Sequence, residues 1–560
     1  MMKTKIILFL TGCLLFFSCS EDFITKDFDK SRYVPGSFFN TKDHAEQALN
    51  AAYAGLNGWA NGYTWDVGIM HFVQGDDLYE TGYAAGFGTW GQVSNFDLTN
   101  TYSQYSSVWS SYYRNILACN VALEVMPQAQ AEADDPSFTT AILNNWMGQA
   151  YFLRAFFYYN LYQYYPDDKI VIRRTQPESA EDFAKAPSPS DSTFMFIESD
   201  LLKAETLLTN GLNVTANYEK GRVTRGAAAA LLGKLYLYRG MYAEAAAEFR
   251  KILPGVGDAA YGTYSLVDSY RDNFTRDGEN NTESVFEIQF TDLNQGGAWS
   301  NNDVNWVFQN FTLNRTSWAI MWWNFAVPNF KLDDFESWTE DISGTPTTVY
   351  DYRVYETFWG VPNGANFTEN GVEKDWIAQG WADETVAGIQ GVYSIRKYAV
   401  DNSDDHPAGL DPLWSDMNIR IIRLADVMLL YAECLANLNP GNVTASDPNS
   451  AVYWVDQVRE RANNPMNDQA HLYSARPGVY GQLPTATALM TANSWSLMEL
   501  IEHERYAEGY CEGWWKEDIK RWKKGASYKN ITAHKPLWNG WESLILPVPQ
   551  SELDNNPNMN

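Results

Sequence analysis

The chain has 560 residues, 45% of them apolar and 15% aromatic, and a formal net charge of −28. That apolar share is ample for a large core, and the length allows two to four domains. So acidic a surface repels phosphate backbones, so no nucleic-acid partner is expected.

Lys3 and Lys5 precede a mostly apolar run, Ile6 to Ser18. A helix of that length rises only ~20 Å against a hydrocarbon core of ~30 Å, so the run reads as an export signal rather than a permanent span. It ends at Ser18-Cys19, which resembles a bacterial lipobox with Phe16 in place of the usual Leu. Ser20-Glu21-Asp22 behind it resembles the acidic tether of Bacteroidota surface lipoproteins. That resemblance implies removal of residues 1–18, a lipid anchor on Cys19 and a lipidated tether over 19–40. The other reading is an ordinary signal peptide with an incidental cysteine. No later run is long enough to cross a bilayer.

Helical periodicity dominates residues 41–254 and again from Arg423 to Lys524. An irregular stretch, Trp59 to Tyr102, interrupts the first block. A longer one, residues 255–422, separates the two blocks and is rich in Asn, Gly, Trp and Asp. Long loops in a compact protein are usually functional or disordered, and these are too aromatic for disorder. In GAAAALLGKLYLYRGMYAEAAAEFRKILP, Leu232-Gly233, Tyr236, Ala245 and Phe249 fit the tetratricopeptide template. They predict a helix pair with Tyr236 and Phe249 buried and Gly233 at the close approach. YWVDQVRERA after ADVMLLYAECLA predicts a second, degenerate pair.

Cys119, Cys434 and Cys511 lie in helical patterns and are expected to be buried apolar residues rather than disulfide partners or metal ligands. The histidines never fall at ligand spacing. GFGTWG (86–91) fits G-x-G-x-x-G, but we expect neither a strand before it nor a helix after it and read it as a loop. DNSDDHPAG (401–409) has the closely spaced oxygens of a Ca²⁺ loop but lacks Gly at the sixth position of an EF-hand. No cofactor is expected beyond that possible structural Ca²⁺.

Six segments in order, YFLRAFFYYNLYQYY, GRVTRGAAAALLGKLYLYRGMYAEA, IRLADVMLLYAECLA, VYWVDQVRERA, ERYAEGYCEGWWKEDIKRW and LILPVPQSELDNNPN, resemble the successive motifs of the SusD/RagB family of surface glycan-binding lipoproteins. Pro166-Asp167-Asp168, Trp515-Lys516 and the NPNMN ending depart from the usual pattern at scaffold positions. The resemblance implies an all-α fold: a tetratricopeptide-like scaffold of about four helix pairs with long irregular excursions forming a ligand face. It implies one domain over 41–560, with an N-terminal helical part (41–254), a loop-rich ligand-face insertion (255–422) and a C-terminal helical part (423–560). It also implies an outer-membrane, cell-surface location and a TonB-dependent SusC-like transporter as partner.

Sugar rings offer apolar C–H faces and equatorial hydroxyls, so their sites need flat aromatic platforms flanked by Asn, Asp, Gln or Arg. The 22 Trp crowd the two irregular stretches. The first carries Trp65, Asp77, Tyr79 and Trp90; the second carries Trp299, Trp306 and Trp318. These seven are the candidate ligand contacts, and Trp90, Trp299 and Trp318 are expected on one shared exposed face. The competing reading is that such Trp pack loops onto the scaffold. A glycoside hydrolase needs a carboxyl pair ~5–10 Å apart, and no pair is marked. Adjacent Asp76-Asp77 on an extended backbone would face opposite ways. No enzyme activity is expected. A RagB-like peptide- or protein-binding lipoprotein is the alternative function.

Overall fold

The computed structural model describes residues 39–57, 66–80, 90–177, 179–209, 219–290, 325–342, 344–361, 367–369, 372–374, 385–386, 389–390, 392–398, 417–464 and 483–559. The leader, Cys19 and the tether up to residue 38 lie outside them, as does the 401–409 stretch.

Eight helices make the first block: α1 (Lys42–Asn57), α2 (Asp66–Val73), α3 (Trp90–Ser94), α4 (Ser103–Glu132), α5 (Thr140–Tyr164), α6 (Ser192–Leu207), α7 (Arg225–Tyr238) and α8 (Tyr242–Arg250). Threonines start two of them. The Thr139 hydroxyl accepts from the Ile142 amide at 3.3 Å, and the Thr224 hydroxyl from the Ala227 amide at 3.1 Å. Helices that are neighbours in sequence pack together: α4 on α5, α5 on α6, α6 on α7, α7 on α8. At the last of these pairs Phe249 and Ala245 are fully buried and Tyr236 nearly so. A Cβ on Gly233 would meet the Phe249 ring at 2.6 Å, so only glycine lets the two helices approach this closely. The predicted pair is present as drawn.

The second block holds α10 (Leu424–Leu438), α11 (Ala451–Ala462), α12 (Ala486–Asn493), α13 (Leu497–Gly509), α14 (Trp514–Arg521) and α15 (Gln550–Asn555). α10 packs on α11 and α13, and also on α8, which joins the two blocks. A capping box starts α13: the Ser496 hydroxyl accepts from the Glu499 amide at 3.3 Å, and the Glu499 carboxylate accepts from the Ser496 amide at 2.8 Å. The three described cysteines are buried and unpaired with one another.

The all-α expectation fails between the blocks. The short helix α9 (Tyr352–Thr357) there is flanked by strands β2 (Ser284–Ile288), β3 (Phe325–Pro328), β4 (Ser337–Ile342), β5 (Thr345–Tyr350), β6 (Phe358–Trp359), β7 (Phe367–Glu369), β8 (Val372–Lys374), β9 (Thr385–Val386), β10 (Ile389–Gln390), β11 (Val392–Ile395) and β12 (Ile419–Arg423). β1 (Tyr79–Glu80) belongs to the first block in sequence but joins this region in space. β1, β3, β11 and β6 form a four-stranded antiparallel sheet in that order, and the rest pair in twos. Strands of two to six residues are too short to show a period-2 pattern, so the sequence read as irregular.

Buried charged side chains lock this mixed region onto the C-terminal helices. Arg353 of α9 bonds Glu504 of α13 at 2.6 Å. Arg423, at the end of β12, bonds Glu283 at 2.6 Å, Glu508 at 3.0 Å and Glu512 at 2.7 Å. Arg459 of α11 bridges Glu336 and Glu504, each at 2.7 Å, and Lys397 reaches Glu512 at 2.9 Å. A buried charge is costly unless paired, and here each carboxylate meets guanidinium or ammonium partners.

Candidate functional site

The site grows from the bend between α2 and β1. α2, DVGIMHFV, is buried on every side for which its side chains are described, and the chain then turns at Gly75, whose amide bonds the Val73 carbonyl at 2.9 Å. Such a turn strands backbone carbonyls that must find donors. The fully buried Lys535 supplies them, donating to the carbonyls of Gly75 at 2.5 Å and Leu78 at 2.8 Å. Its ammonium also lies 4.6 Å from the Tyr79 ring centre. Burial pushes the Lys535 amine down to about 7, against the pull of Asp76.

Asp76 and Asp77 point apart. Asp76 pairs with Lys331, which follows β3, and accepts a 2.5 Å hydrogen bond from the Tyr79 hydroxyl. Asp77 accepts from the Cys511 amide at 3.2 Å, while its carbonyl accepts from the Tyr510 hydroxyl at 2.7 Å. Burial raises the Asp77 carboxyl to about 6. These bonds hold the GYCEGWW turn, where Cys511 has φ 58° and Gly513 φ 79°. A Cβ on Gly513 would lie 2.4 Å from the His71 ring, so this glycine serves both the left-handed backbone and the contact with α2. Phe330, beside Lys331, stacks on His534 with centroids 4.4 Å apart and meets Tyr79 edge-on at 5.8 Å.

This root joins two parts of the chain that are distant in sequence. β1 and β3 are antiparallel, with Tyr79 opposite Ala326 and Glu80 opposite Phe325. The chain therefore leaves the sheet into residues 81–89 at the point where residues 291–324 enter it. Residues 81–89, which hold no Trp, and the Trp-rich residues 291–324 therefore join the same sheet rim, while Trp65 lies before α2 in residues 58–65.

The structure divides the seven candidate contacts. Asp77 (3% exposed), Tyr79 (2%) and Trp90 (3%) are core residues of this root. They present no face to a ligand, and this corrects the expectation for them. Trp90 opens α3 and packs into the main hydrophobic core. Trp65, Trp299, Trp306 and Trp318 lie outside the described residues. Sequence reasoning missed Lys331 and Lys535, which hold the root through partners more than 250 residues away; no local pattern marks such pairs. The loop read at GFGTWG lies largely outside the described residues; only the expectation of no strand before it and no helix after it is corrected, since β1 ends at Glu80 and α3 begins at Trp90. β1 is an antiparallel edge strand, so the parallel strand–turn–helix unit of a dinucleotide site is absent there. Among the described residues Asp76 and Asp77 are buried, and Asp77 lines a cavity of only about 20 Å³. Among the described residues, no group of His, Cys, Asp and Glu is placed to hold a metal ion, and no helix is long and apolar enough to cross a membrane.

Two family models match the chain: the SusD family over residues 282–560, and a family described as starch-binding and associating with the outer membrane over residues 41–237. A SusD-like protein of Bacteroides ovatus is 24% identical over 470 residues, which are 82% of this chain and 76% of that one. A solved laminarin-binding SusD-like protein superposes with a TM-score of 0.66 at 22% identity, covering 92% of this chain and 98% of its own. Surface glycan-binding protein A of Bacteroides thetaiotaomicron, solved with laminarihexaose, gives a TM-score of 0.65 at 20% identity, covering 93% and 99%. At these identities the structural likeness establishes the fold.

Proposed function

From the premise that this chain belongs to the SusD family, we propose that it is a non-catalytic, surface-exposed glycan-binding protein. In this reading it captures oligosaccharide or polysaccharide and passes it to a TonB-dependent SusC-like transporter. The observation that carries the reading is the β1–β3 register, which joins residues 81–89 and the Trp-rich residues 291–324 to one sheet rim. Residues 41–560 then act as one domain: tetratricopeptide-like helix pairs form the scaffold and the excursions form the ligand face. Trp299 and Trp318, with Trp65 and Trp306, are the proposed sugar platforms. Solved neighbours that bind laminarin and laminarihexaose support carbohydrate as the ligand class. Nothing favours the peptide-binding alternative. The burial of Asp76 and Asp77 in ion-paired and hydrogen-bonded positions supports binding without hydrolysis.

Affinity electrophoresis against a panel including laminarin and starch tests the ligand class. One retarding glycan is expected, with Trp299→Ala/Trp318→Ala weakening binding by about tenfold or more. Equal retardation of wild type and double variant on every glycan would overturn the site. Anchoring through Cys19 is a separate proposal, resting on Ser18-Cys19 at the end of the export signal. Cys19→Ala should move the protein from membrane to soluble fractions in cells lacking the transporter; continued sedimentation with outer membranes would contradict it.

A further inference from the structure

A second concave site lies on the helical scaffold, built from residues that take no part in the sheet rim. It is a cleft of about 370 Å³ between the outer side of α4, the segment after α5 and the C-terminal helix α15. Trp109, Tyr113, Leu117 and Asn120 line it along one stripe of α4; Trp109, 4% exposed, belongs to the main core with Tyr105, Tyr112, Ile116 and Cys119, and Tyr113 is half-buried. Two aromatic rings are fixed in place. The Trp109 indole N–H donates to Glu552 Oε2 at 3.3 Å, and the Tyr113 hydroxyl accepts from the Val171 amide at 2.9 Å. Their centroids are 5.0 Å apart, with the planes at 51°. Across from them Phe183 stands 59% exposed, its backbone carbonyl held by the Arg173 guanidinium at 2.7 Å. Polar groups of both charge signs and neutral amides share the lining: Arg114, Arg173, Glu552 and Asn555.

We propose that this cleft is a second carbohydrate subsite that takes one or two neutral sugar rings. The half-buried Tyr113 ring, held through its hydroxyl, and the exposed Phe183 ring suit the C–H faces of a pyranose, and a ring already held loses little side-chain freedom on contact. Arg114 and Asn555, both exposed at its rim, suit its hydroxyls. Mixed charge favours a neutral ligand over an anionic one. The volume sits at the low end of the ~300–1,000 Å³ range of ligand clefts, which fits a short saccharide rather than a chain. The ligand class is shared with the proposed function, but the site does not depend on the Trp-rich stretches.

The test is titration of the purified full-length protein with laminaribiose and maltose, followed by saturation-transfer NMR and calorimetry. The Trp299→Ala/Trp318→Ala variant is expected to retain binding of at least one disaccharide. Adding Phe183→Ala and Arg114→Ala, both exposed positions, should weaken that residual binding about tenfold with unchanged thermal unfolding. Loss of all disaccharide binding in the Trp double variant, residual binding indifferent to Phe183→Ala/Arg114→Ala, or no binding by any form would overturn the subsite. Failure of the loop-face reading alone would show differently, as full polysaccharide binding in the Trp double variant.

Discussion

Lys331 and Asp76 meet where neither side chain reaches water. Removing one partner of such a pair leaves the other charge buried, a cost of about 3–5 kcal/mol. Lys331→Met should therefore lose that much in urea unfolding. Lys529→Met, which breaks a partly exposed 3.0 Å pair with Asp334, should lose about 1 kcal/mol or less. Equal losses would contradict the role given to the root. Single residues were also where sequence reasoning was least secure. Trp90, Tyr79 and Asp77 looked like ligand contacts because an aromatic residue beside an acidic one is what a sugar site needs. It is equally what a buried ion-paired root needs, and only burial tells the two apart. Gly233 and Phe249 were legible because the tetratricopeptide spacing states a contact rather than a composition.

At the scale of elements, the long periodic helices could be read and the short or uniformly apolar ones could not. α2 hid inside a stretch taken as irregular because a helix buried on all sides has no polar face to set its period. The strands hid because they are short. The ionic clamp between the mixed region and α13 also left no local trace, yet it sets the pH behaviour. Burial alone would raise Glu336, but hydrogen bonds from His503 and Arg459, with the Arg459 charge, carry it from 4.5 down to about 2. Burial likewise opposes the ionisation of Glu504, and the charges of Arg353 and Arg459 hold it below its ordinary value. A depressed carboxyl contributes stability that is complete above its unfolded value and lost as pH falls through the folded one. Urea midpoints should thus drop between about pH 4.5 and pH 2, with Glu336 accounting for on the order of 3 kcal/mol. In Glu336→Gln that part of the drop should vanish; an unchanged acid profile would contradict the clamp.

For the whole molecule, six ordered motifs were enough to place the chain in its family, and the fold agrees. They did not convey how the parts meet. The helical blocks join through α8 and α10, the mixed region is clamped by buried charge, and the antiparallel β1–β3 pair brings residues 81–89 and the Trp-rich residues 291–324 to one rim. That convergence is the central claim. Hydrogen–deuterium exchange with and without a glycan identified by electrophoresis tests it most directly. Peptides from residues 81–90 and from 291–324 should slow together when the glycan binds. A glycan that binds with full affinity and protects only one of the two stretches, or neither, would contradict a shared ligand face.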